Sequence, residues 1–145
     1  MKLLSLAFSL WFFSSFTLAD ELTESAKAKP ETFNWDQYVR DGASVSDEMF
    51  RAEEGVQILA QRMDQILASY RKLLESNKDI EELRLLNDMQ AAWQKAADAE
   101  VAFIGGAWVG GSGARAAFPR ARMECYLRHV KDLVEMKSRC MALNE

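Results

Sequence analysis

From Met49 onward, apolar side chains return at alternating steps of three and four: Met49, Ala52, Val56, Leu59, Met63, Ile66, Tyr70 and Leu73. That spacing puts one stripe along an α-helix, with a seven-residue period suited to packing beside another helix. Ser44 and Asp47 stand where side chains cap the first backbone N–H groups. Gly55 weakens the helix by about 1 kcal/mol relative to alanine without breaking it, and the helix is expected to end near Ser76 and Asn77. A second stripe of Leu83, Leu86, Trp93 and Ala97, with Met89 beside it, predicts a second helix. Ser76 and Asp79 repeat the capping spacing at its start, and the glycines from Gly105 are expected to end it. A third helix carries Met123, Leu127, Val130 and Val134, with Pro119 in its first turn or at a kink. The short connection between the first two helices implies an antiparallel hairpin, and no segment alternates with the period of a strand. The predicted fold is all-α: a small antiparallel bundle of about three main helices with a Gly-rich loop between the last two.

The start of the chain follows another pattern. "MKLLSLAFSLWFFSSFTLA" has Lys2, an apolar run and a small-residue cleavage site before Asp20, which reads as a secretory signal peptide, residues 1–19, cleaved after Ala19. Its apolar run is too short and serine-broken to serve as a membrane anchor. The expected destination is the periplasm or the exterior, with no anchor after cleavage. Residues 20–46 are polar and hold Pro30, so they read as an arm with one helical turn around "NWDQYV", pinned to the core by Trp35 and Tyr38. The helical domain is then 47–145.

The net charge of −4 argues against a nucleic-acid partner, which rewards basic patches. Acids cluster before Glu100, whereas Arg115, Arg120, Arg122, Arg128, Lys131, Lys137 and Arg139 crowd the last third. Such a run reads mainly as the solvated face of a helix.

Five of the seven glycines, Gly105, Gly106, Gly110, Gly111 and Gly113, fall in "GGAWVGGSGAR". Gly105 and Gly110 have the spacing of a phosphate loop, but Gly111 occupies the place of the essential lysine. No β-rich segment precedes the run to make a dinucleotide fold. The glycines therefore read as a turn between helices first and a binding element second. Cys125, His129 and Asp132 share a helical face, yet no second His or further Cys near them completes a metal or thiol site. Cys125 and Cys140 would lie about 22 Å apart on a continuous helix, too far to bridge unless the last helix stops and the tail folds back. Asp98 and Glu100, two residues apart, point to different faces and make no acid–base pair. No catalytic residue, cofactor or metal is expected, and the chain does not read as an enzyme.

The segment "SYRKLLESNKDIEELRLLNDMQAAWQKAADAEVAFIGGAWVGGSGARAAFPRARMECYLRHVKDL" resembles the secreted LprI-like lysozyme inhibitor domain. Tyr70, Trp93, Asp98, Ala99, Glu100, Gly110, Gly111, Ser112 and Cys125 match that family's motif in order and approximate spacing. Ala97 stands where the family has arginine, and Val101 where it has cysteine. If the family's bridge joins that cysteine to the one in the last helix, Cys125 has lost its partner. The resemblance implies a helical secreted protein and, as in some characterised members, inhibition of lysozyme. Plugging the cleft would place Trp108 and Ser112 in contact, with Asp98 and Glu100 steering the encounter. Trp93, on the apolar stripe, is expected in the core; Trp108, flanked by glycines, is open to either environment. The rival reading is an adaptor that binds another envelope component through its first helix, which would leave the Met49–Leu73 stripe partly exposed.

Overall fold

The computed structural model describes residues 24–107 and 113–142, and these divide into two units, one ending at Phe33 and one beginning at Asn34. In the first, residues 24–28 form a short helix, α1. The second holds α2 (Trp35–Arg40), α3 (Val45–Asn77), α4 (Ile80–Ala107) and α5 (Gly113–Ala142). The described residues are helical throughout apart from short turns, so the fold is an all-α bundle whose three long helices pack on one another.

α3 starts where its cap predicts. The Ser44 hydroxyl accepts from the Asp47 N–H and donates to the Asp47 carboxylate. Its end is set by Lys78, left-handed at φ 61°, whose N–H reaches back to the last carbonyls of α3. A left-handed residue after a helix closes its final turn. Ser76 is not a cap for α4: it lies inside α3 and donates its hydroxyl to the Lys72 carbonyl. Asp79 is the residue that precedes α4, and its carbonyl takes the first bond from Leu83.

The stripe on α3 is buried at Ala52, Leu59, Met63, Ile66 and Tyr70. At its far end Leu74 is buried in place of the expected Leu73. α3 and α5 run in the same direction, since Gly55 lies against Met123 and Ser69 bonds Lys137. α4 runs opposite to both: Gln90 meets Met63 and His129, and Gly105 meets Phe118. α5 therefore buries two adjoining faces, with Met123 and Val130 on one and Ala121, Cys125 and His129 on the other. A single apolar stripe understated that helix because it packs on two neighbours.

Gly55 has a purpose that propensity alone hides. A Cβ there would stand 2.6 Å from Met123 Sδ and 3.0 Å from the Trp35 ring. The missing side chain lets α2 and α5 approach α3 together. Trp35 is almost wholly buried, the Tyr38 hydroxyl donates to Glu54 at 2.5 Å, and Arg51 lies over the Tyr38 ring. Arg120 pairs with Asp36, tying α5 to α2. The predicted turn around residues 34–39 is thus part of the bundle's unit rather than of a separate arm.

Candidate functional site

Trp93 and Cys125 meet on the α4–α5 contact, whereas Tyr70 is buried on α3 and Asp98 and Ala99 are exposed. Ala97, Val101, Ala121 and Cys125 form one buried cluster, with Trp93 and Ile104 packed against it. Small residues at 97, 101, 105, 121 and 125 let the two helices come close, and van der Waals contact then holds them. Trp93 stacks on His129 with ring centroids 4.0 Å apart and meets the Tyr126 ring edge-on at 5.1 Å. It is half-buried, a seam residue rather than a fully enclosed one.

His129 is 6% exposed, and its Nε2 is 2.7 Å from Gln90 Oε1. A carbonyl oxygen only accepts, so Nε2 carries the proton in this bond. Gln90 in turn donates from its amide nitrogen toward Met63 Sδ at 3.4 Å. Burial holds the imidazole below its ordinary pKa, and the negative charge of Asp132 offsets this only in part.

Beside this cluster, Arg128 Nη2 donates to both oxygens of Glu100 at 2.6 and 2.7 Å, and it lies 3.4 Å from Cys125 Sγ. The hydrogen bond from Arg128 lowers the Glu100 pKa. Burial first, then the charge of Glu100, pushes the Cys125 thiol up. A buried thiol held protonated is a poor nucleophile. Asp98 is exposed and is bonded by Gln94 on its own helix. Asp98 and Glu100 therefore diverge, as their spacing predicted.

Three cations of that run also bridge helices: Arg120 to Asp36, Arg128 to Glu100 and Lys137 to Ser69. Sequence periodicity missed them because each partner is far away along the chain. Cys125 and Cys140 lie on one continuous helix and are not joined to each other. Among the described residues, no group of three or more His, Cys, Asp or Glu side chains is placed to hold a metal ion.

The glycine run differs from its expected form. Gly105 and Gly106 are helical, within α4, and Gly113 is the first residue of α5. A Cβ on Gly105 would overlap the Phe118 ring, whereas one on Gly106 would meet open space. Gly105 is thus a seat for Phe118, not a turn residue. Trp108, Gly110, Gly111 and Ser112 lie outside the described residues.

No helix among the described residues is long and apolar enough to cross a membrane. No family model, curated protein or solved structure matches this chain.

Proposed function

We propose that this chain is an exported binding protein whose α4–α5 pair presents the glycine-rich connection to a protein partner, as an inhibitor that plugs the cleft of a lysozyme without catalysis. The observation that carries this reading is the seating of Phe118 on Gly105. It fastens the last turn of α4 to the start of α5, so the segment holding Trp108 and Ser112 springs from two braced helix ends. Helix ends already packed together carry no ordering cost of their own on binding, which favours affinity. Asp98 is exposed on α4 ahead of that segment, where an acid speeds encounter with a basic enzyme, whereas the charge of Glu100 is matched by Arg128. The motif order from Trp93 to Cys125 supports the same reading, as does the leader-like start of the chain, which points to the periplasm or the exterior.

The adaptor alternative is less well supported. It needs the first long helix to keep its stripe partly exposed, and the stripe is buried at Ala52 and from Leu59 to Tyr70, with only Met49, Val56 and Leu73 half-buried.

The test is inhibition of a lysozyme by the purified protein. Trp108→Ala and Ser112→Ala should each weaken inhibition while leaving the circular-dichroism spectrum unchanged. Binding that persists when an oligosaccharide already fills the cleft would overturn the plugging mechanism.

A further inference from the structure

At the end of the bundle that holds the start of α3, a groove of about 470 Å³ opens between α3 and α5. Met49 and Val56 form one wall and Phe118 and Pro119 the other. Phe50 is 70% exposed, although it adjoins Met49. It shares a helical face with Glu53 and Gln57, three and seven residues on, so it stands on the rim of the groove. Glu53 is on the α3 side and Arg122 on the α5 side. Among the described residues neither of these charges enters an ion pair.

We propose that this groove is a homodimer contact, occupied by a second copy of this chain around a two-fold axis. The reason is self-complementarity. A two-fold interface sets one patch against its own copy, so every projection needs a hollow within that patch. Here the projection, Phe50, lies next to the hollow lined by Met49, Val56, Phe118 and Pro119. Each copy's Phe50 enters the other's groove. The rim obeys the same rule, because an acid on one wall and a base on the other exchange partners under rotation. Glu53 of each copy then faces Arg122 of the other, giving two equivalent ion pairs. An acidic or basic partner would match only one wall. Gly105 contributes by holding the Phe118 ring in place as part of the α5 wall. This inference does not depend on the function proposed above.

The test is sedimentation equilibrium on purified protein, with wild type expected to dimerise reversibly. Phe50→Ala should weaken dimerisation with little change in the monomer's circular dichroism, since the ring is largely exposed. Glu53→Arg and Arg122→Glu should each weaken self-association by about tenfold or more, because each sets like charges face to face twice. Mixing those two variants should restore a dimer, since the mixed pair places opposite charges at both contacts. A pair formed within one chain would not be restored by mixing. A wild-type protein that stays monomeric, a dimer indifferent to both reversals, or no recovery on mixing would each overturn the proposal. A monomer that instead captures a helical peptide in this groove would also overturn it.

Discussion

The imidazole of His129 lies flat against the indole of Trp93, with planes 6° apart and centroids separated by 4.0 Å. One ring comes from α5 and the other from α4, so the stack is a clasp between helices. Burial favours the neutral imidazole, and the nearby charge of Asp132 offsets this only in part.

Stability should therefore depend on pH through this residue. The folded-state pKa is depressed, so in the acidic range the unfolded chain binds the proton more readily than the folded one. Stability should be complete above about pH 6.5, the ordinary imidazole value, and should fall as pH drops below it, levelling off only beneath the folded-state pKa. Urea titrations monitored by tryptophan fluorescence between pH 7.5 and pH 5 would measure this, and His129→Gln should flatten the profile. A wild-type profile already flat across that range would refute the buried neutral imidazole.

Trp93→Ala should cost about 3 kcal/mol, the lower end of the range for truncating a packed tryptophan, because the ring is half-buried. The loss should separate α4 from α5 more than α3 from α5. Hydrogen exchange should then quicken first along α4, and a loss below about 1 kcal/mol would mark the ring as a surface feature.

Gly55→Ala should destabilise, although alanine is the better helix former by about 1 kcal/mol. The new methyl meets Met123 Sδ, and overpacking of this kind costs about 1–3 kcal/mol. Met123→Ala in the same chain should recover part of that loss by making room. Thermal melts of the single and double variants would check it; a higher melting temperature for Gly55→Ala alone would show that Met123 gives way freely.

Reduction should leave the melting temperature of the wild type nearly unchanged, since Cys125 and Cys140 are not joined. Val101→Cys should behave differently. Val101 and Cys125 belong to one buried cluster, so oxidation of that variant should form an intrachain bridge, visible by mass spectrometry and adding about 2–4 kcal/mol. Failure to oxidise would weaken the resemblance to the family in which position 101 is a cysteine.

Much of this was legible in the order of residues. The repeat from Met49 to Tyr70 determined a long helix with one buried stripe, because a 3.6-residue period leaves no other regular way to gather those side chains. Ser44 and Asp47 determined where it begins, since capping is a local bond. The absence of alternating segments determined an all-α fold. Local logic failed where a residue answers to something distant. Ser76 has a capping pattern but lies inside a helix, because the turn forms two residues later at Lys78. Gly55 and Gly105 look like weak points along the chain. In the folded unit they are the places where Met123, Trp35 and Phe118 come close. Arg120, Arg128 and Lys137 read as surface charges, and only the packed unit gives each a partner on another helix. Periodicity reports which face of a helix is buried, and only tertiary packing decides how many neighbours share that face and which side chain must be absent for them to meet.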